Sequence, residues 1–160
     1  PDGFEISEND FDAIITSSYS ENTNALCLVP PVAVIGVGCK RGSSQDKIEN
    51  AVLQVLKKAG VYPQAVASIC SINIKSDEAG IIETCKKYKY KFIAYTAEQL
   101  NKLEGCFSSS KFVLKTTGTD NVCERCAVLG SDGGRLIVYK TVFDGVTAAL
   151  AVKDYKISFN

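Results

Sequence analysis

The stretch Val32–Ser44, VAVIGVGCKRGSS, constrains the fold of this chain more than any other segment. A run of small and β-branched apolar residues, Val32 to Val37, reads as a buried strand. Glycines 36, 38 and 42 turn it into a loop carrying Cys39, Lys40, Arg41 and Ser43, and an amphipathic segment follows. Strand, glycine turn and helix N-terminus together can hold an anion, because the turn leaves N–H groups free and the helix end is partly positive. The spacing is neither G-x-G-x-x-G nor a Walker loop, since Lys40 precedes Gly42, so a nucleotide reading is weak. A plain tight turn stays open as the alternative.

The segments after this turn alternate as in an α/β domain. Ser43 with Asp46 is the expected capping box of a helix whose Ile48, Ala51, Val52, Val55, Leu56 and Ala59 recur at helical spacing, with Gly60 closing it. AVASICSINI (65–74) reads as a second buried strand. KSDEAG leads into a helix with Ile81, Ile82, Cys85 and Tyr88 on its apolar face. KFIAYT (91–96) is a third strand, and Thr96 with Gln99 caps a short helix ending near Leu103. Beyond it, Phe112–Leu114 reads as a short strand and VCERCAVLG (122–130) as a helix. RLIVYK (135–140) and VTAALAV (146–152) are strands joined too closely for a parallel crossover, so they pair antiparallel. The expected fold is a three-layer α/β/α domain over residues 31–155, with a mixed, mainly parallel sheet and a C-terminal antiparallel hairpin.

Residues 1–30 differ. PDGFEISEND reads as polar loop, FDAIITSS as a short strand, YSENTN as polar, and ALCLV as another short strand before Pro30-Pro31. Two consecutive prolines fix an extended backbone and mark a boundary, so this segment reads as a linker or the tail of a preceding region. The chain starts at Pro1 and lacks Met, which points to a fragment of something longer.

Composition narrows the chemistry. Among 160 residues, 18 Lys and Arg balance 18 Asp and Glu, and a neutral chain without a basic block offers nucleic acid no electrostatic footprint. No apolar run is long enough for a membrane span. Histidine is absent, which removes Ser-His-Asp and Cys-His catalysis and the commonest metal ligand. The seven cysteines sit mostly in apolar runs, as thiols do in a reducing cytoplasm. Cys123-Glu124-Arg125-Cys126 is a C-x-x-C, but it falls late in the domain, and these cysteines read as a buried helix face rather than a redox or zinc motif. No metal or cofactor is expected.

In a sheet of this kind ligands bind beyond the carboxyl ends of the parallel strands. Three loops gather there: Gly36–Ser44, Asn73–Glu78, and Thr116–Asn121 leading into Glu124. Lys40, Arg41 and Lys75 supply cations, while Asp77, Glu78 and Glu124 supply carboxylates. That mixture suits a polyanion held by cations and worked on by a carboxylate base. Bland readings stay open: Asp77 and Glu78 could serve only a helix dipole, and Lys75 could be a solvated charge.

Four motifs taken in order, GVGCKRGSS, ASICSINIKSDEAGI, NVCERCAVL and LIVYKTVFDGVTAALA, resemble the C-terminal domain of the cobalamin biosynthesis protein CbiG, a domain shared by the smaller CobE protein of the aerobic pathway. The resemblance runs from about Leu28 to Val152. It implies corrin assembly, a branch of porphyrin and tetrapyrrole metabolism. CbiG-like proteins are cobalt-precorrin-5A hydrolases acting on a C–C bond; they open the ring-A δ-lactone and release acetaldehyde, giving cobalt-precorrin-5B. The implied partners are a cobalt-precorrin fringed with acetates and propionates, and the N-terminal domains of the same protein. A homodimer is neither required nor excluded. On this reading Glu78 or Asp77 is the base, with Glu124 next, and Lys75 stabilises charge. Gly36, Gly38, Cys39, Lys40, Arg41, Gly42 and Ser43 bind substrate carboxylates. Two alternatives are a CobE-like module that binds a corrinoid without chemistry and an unrelated nucleotide-binding regulator.

Overall fold

A computed structural model describes Ser7, residues 12–19 and residues 25–156. The loop expected over 1–10 lies outside these residues except for Ser7, as do Phe11 of the first expected strand and residues 20–24 of the polar stretch after it. Two short parallel strands, β1 (Ala13–Ile15) and β2 (Leu26–Leu28), form a small sheet of their own. The backbone at 17–19 ties this segment to the main domain: Tyr62 N–H donates to Ser17 O at 2.9 Å, Tyr19 N–H to Gly60 O at 2.7 Å, and Tyr19 packs edge-on against Tyr62.

The main sheet follows from Val32–Val37 as expected and extends further. β3 (Ala33–Cys39) is followed by helix α1 (Gln45–Ala59), then β4 (Val66–Ile72), α2 (Ala79–Tyr88) and β5 (Lys91–Tyr95). Two short helices, α3 (Ala97–Asn101) and α4 (Lys111–Thr117), precede α5 (Cys123–Gly130), β6 (Arg135–Phe143) and β7 (Val146–Val152). The strand order is β5-β4-β3-β7-β6. β3, β4 and β5 run parallel, and β7 is antiparallel to both of its neighbours. β6 therefore points the same way as β3, and four strands bring their carboxyl ends to one edge.

Alternation along β3 sorts the two faces. Ala33, Ile35 and Val37 meet Ile48, Val52, Val55 and Leu56 of α1 and Ile81 of α2. Val34 turns the other way, toward Cys70, Ile72, Leu100 and Cys126. Each Ile, Leu or Val buried this fully favours the folded state by about 1.5–3 kcal/mol over exposure. The α5 face is built from small residues: Cys123 and Ala127 pack on Ala149 and Ala151. Backbones approach so closely there that a Cβ on Gly36 would lie 1.8 Å from Cys123 O. Cys123 and Cys126 are buried free thiols on this helix face, the packing role expected of the C-x-x-C.

Several local expectations hold and two do not. Thr96 and Gln99 form the reciprocal capping box. The Ser43–Asp46 box does not form; Ser44 is the N-cap, and Ser43 Oγ donates instead to Lys40 O at 2.9 Å, closing the turn on itself. Phe112–Leu114 is helix rather than strand. Ser110 accepts Val113 N–H as an N-cap and Gly118 closes the C-terminus, and these local bonds outweigh the β-propensity of Phe-Val. No helix among the described residues is long and apolar enough to cross a membrane.

Candidate functional site

At the carboxyl edge of the parallel strands lies a cavity of about 530 Å³. Two loops from the sequence meet over it, and they are bolted together. Arg41 of the turn after β3 donates through Nη1 to Asp77 and through Nη2 to Ile74 O at 2.8 Å. Gly42 N–H donates to Glu78 Oε1 at 2.7 Å, and Lys75 Nζ donates to Glu78 Oε2 at 3.2 Å. The start of α2 presses on the same turn: a Cβ on Gly80 would sit 2.3 Å from Ser43 O, so only glycine admits this contact. The turn was expected to offer free N–H groups to a ligand. Its Gly42 donor is instead taken by Glu78, and the positive character of the cavity comes from side chains.

Those side chains are four. Lys40, Arg41, Lys75 and Lys140 all line the cavity. Arg41 pairs with Asp77 and Lys75 with Glu78, whereas Lys40 and Lys140 make no ion pair among the described residues. The rest of the lining is largely apolar and includes Ile72, Ile74, Phe112, Val113 and Val122. Cys39 and Cys123 also face the cavity. Burial pushes the Cys39 thiol above its ordinary pKa, with nearby Lys75 opposing, and burial raises Cys123 to about 11.

The expected site residues separate into distinct environments. Gly38, Cys39, Lys40, Arg41 and Lys75 line the cavity. Gly42 and Ser43 line a shallower neighbouring depression of about 360 Å³, beside Lys47 and Asp144. Gly36 lies deeper in β3, against the α5 backbone, and its geometry is that of packing rather than ligand contact. Asp77 is exposed at the rim, and the Arg41 hydrogen bond holds its carboxyl below the usual range, which weakens it as a base. Glu78 is buried beside Lys75 and does not itself line the cavity, which it reaches only through Lys75.

Glu124 is fully buried and lies off the cavity. Its Oε1 accepts from Lys140 N–H at 2.7 Å and Ser108 Oγ at 2.8 Å; its Oε2 accepts from Ser108 N–H at 2.8 Å and Asn121 Nδ2 at 2.9 Å. Asn121 Oδ1 in turn accepts Glu124 N–H at 2.8 Å. With both oxygens filled, Glu124 ties the 108 loop, the start of α5 and β6 together.

Lys140, Phe112, Val113, Ile72 and Thr147 were not foreseen in the site, whereas Ile74 lies on the expected Asn73–Glu78 loop. Thr116 and Thr117 line it, while Gly118–Asn121 of the same expected loop do not. Lys140 could have been found from the hairpin: once its second strand pairs antiparallel with β3, its first must run parallel to β3 and approach the same edge.

An open mixed sheet with a cavity at its carboxyl edge, lined by four cationic and several apolar side chains, defines an α/β/α domain. The chain belongs to the family described as Cobalamin synthesis G C-terminus, which matches residues 33–151. Two curated cobalt-precorrin-5A hydrolases resemble it. That of Priestia megaterium is 33% identical over 132 residues, covering 82% of this chain and 35% of that protein. That of Salmonella typhimurium is 33% identical over 125 residues, covering 78% of this chain and 35% of that protein. The chain thus spans about a third of the length of these relatives. The crystal structure of CobE, a protein from the cobalamin biosynthetic pathway, superposes with a TM-score of 0.70 at 27% identity, covering 77% of this chain and 91% of CobE.

Proposed function

We propose that this chain is the C-terminal part of a cobalt-precorrin-5A hydrolase and contributes the part of the site that grips the corrin's carboxylates. The observation that carries this reading is the cavity itself: Lys40 and Lys140, which make no ion pair among the described residues, joined by Arg41 and Lys75 and set among apolar lining residues. A cobalt-precorrin presents acetate and propionate arms around a largely apolar ring, and both kinds of lining side chain have a counterpart in it. Gly38 lines the cavity beside Cys39 and Lys40, and a Cβ there would lie 2.7 Å from Thr147 Oγ1, so β3 and β7 lie close together at this end.

The lactone step needs a base for water and a positive group beside the oxyanion that forms. Lys75 faces the cavity and fits the second role. Glu78 fits the first better than Asp77 or Glu124. When Lys75 Nζ turns to the lactone carbonyl, Glu78 Oε2 loses that donor and can accept a proton from the attacking water. The ring C–O bond then breaks and a carboxylate forms, Lys75 balancing the charge. In the full protein the freed hydroxyl then loses its proton and collapses to the carbonyl of acetaldehyde, the C–C bond to the macrocycle breaking so that the ring carbon keeps the electron pair and takes up a proton. Glu78→Gln in the full-length enzyme should lower acetaldehyde release by about 100-fold or more, the scale of a lost general base, while substrate binding changes far less. Unchanged turnover would sink the assignment.

The second reading, a corrinoid-binding module without chemistry, has one observation behind it. The domain makes up 91% of CobE, so it also occurs as nearly the whole of a protein. Titrating cobalt-precorrin-5A into the full-length protein while monitoring acetaldehyde separates the two: binding without release supports the module.

A further inference from the structure

The cavity has a feature that binding carboxylates does not require. Phe112 at the start of α4 is 77% exposed and Ile74 after β4 is 45% exposed, yet both line the cavity. No residue of α4 is buried, so this helix presents Phe112 without using it for its own packing. Large apolar side chains in water at the mouth of a pocket mark a contact surface for a ligand. The cavity opens to solvent where these two side chains stand, so a ligand seated in it meets them at the mouth.

Resting on the reading above, we propose that Phe112 and Ile74 form a platform for the apolar, partly conjugated face of the macrocycle, while Lys40, Arg41, Lys75 and Lys140 take its carboxylates. Phe112 thereby selects a ligand with a π face over an acyclic polycarboxylate, and its removal weakens only the first. An aromatic ring stacked on a conjugated ligand gains offset or edge contacts that a flexible chain cannot offer. The cations alone would bind both kinds of ligand and would not discriminate between them.

The test uses the full chain and two probes: uroporphyrin, which is flat and fringed with carboxylates, and butanetetracarboxylate, which carries charge without a ring face. Phe112→Ala should weaken uroporphyrin binding about tenfold, the loss of one stacking contact, and leave butanetetracarboxylate binding unchanged. Phe112→Tyr should restore uroporphyrin binding, and Ile74→Ala should weaken it to a smaller degree. Because both side chains are exposed, unchanged circular dichroism is expected for all three variants. Equal uroporphyrin affinity in Phe112→Ala and parent overturns the inference, as does failure of uroporphyrin to bind the parent. Acetaldehyde release by the full-length enzyme is a separate readout, so the hydrolase reading survives or fails independently of this one.

Discussion

Glu124→Gln tests whether the buried carboxylate of α5 holds the fold rather than acting on a ligand. All four of its acceptor positions are filled, two at each oxygen, at 2.7–2.9 Å. An amide keeps one oxygen and replaces the other with a donor. If the nitrogen faced Ser108 N–H and Asn121 Nδ2, two donors would lose their acceptor. Facing Lys140 N–H and Ser108 Oγ is better, because the Ser108 hydroxyl can reverse and accept. The Lys140 N–H cannot reverse and is left facing another donor. One orphaned buried N–H costs about 1–3 kcal/mol, and the remaining bonds lose charge assistance, which roughly halves their strength. The expected loss is about 2–4 kcal/mol, and for a chain of this length that lowers Tm by about 5–10 °C. Urea denaturation should show a lower midpoint with an unchanged m-value. A Glu124→Gln variant that melts with the parent but loses acetaldehyde release would refute this reasoning and return Glu124 to a catalytic role.

Two other outcomes follow from the packing. Gly36→Ala puts a methyl 1.8 Å from Cys123 O and 2.8 Å from Ala127 N, both backbone atoms, so α5 itself must move. Overpacking of this kind costs about 1–3 kcal/mol or more, and a fall in Tm with weaker uroporphyrin binding is expected because α5 carries Cys123 into the cavity wall; an unchanged Tm would contradict the close approach. Stability should also decline above pH 9. Burial raises Cys70 and Cys123 from 9.0 to about 11 and Cys85 to about 12, so the unfolded chain releases protons that the folded chain retains. The contribution is fully present below the unfolded thiol pKa and is lost as pH rises through the folded values, at about 1.4 kcal/mol per pH unit for each thiol in that window. Urea midpoints measured from pH 8 to 11 check the sign, and a flat profile would contradict it.

Most of the architecture was legible in the chain because it rests on local signals. β-branched runs bounded by glycine or polar turns marked the strands, and a 3.6-residue apolar period marked α1 and α2. The short link between 140 and 146 was enough to require an antiparallel hairpin. The region 104–121 was not legible, because α4 has no buried face to generate a period. Its helix depends on the Ser110 cap and the Gly118 terminus rather than on packing. The site was half legible for a similar reason. Lys40, Arg41 and Lys75 stand on loops that any parallel sheet sends to its carboxyl edge, so strand order alone brought them together.

What distinguishes Glu78 and Glu124 is which partners surround them, and the deciding ones come from distant parts of the chain. Glu78 meets Gly42 across the edge of the sheet, and Glu124 meets Lys140 across α5 and β6. The sequence by itself determined a three-layer α/β/α domain with cations and carboxylates at the ends of its strands, because periodicity and turn chemistry are local properties. Only the tertiary structure decided which of those charges are consumed internally, which cations are left for a ligand, and that an exposed phenylalanine stands beside them. Hydrogen-bond saturation and exposure depend on atoms that sequence separation does not bring near one another.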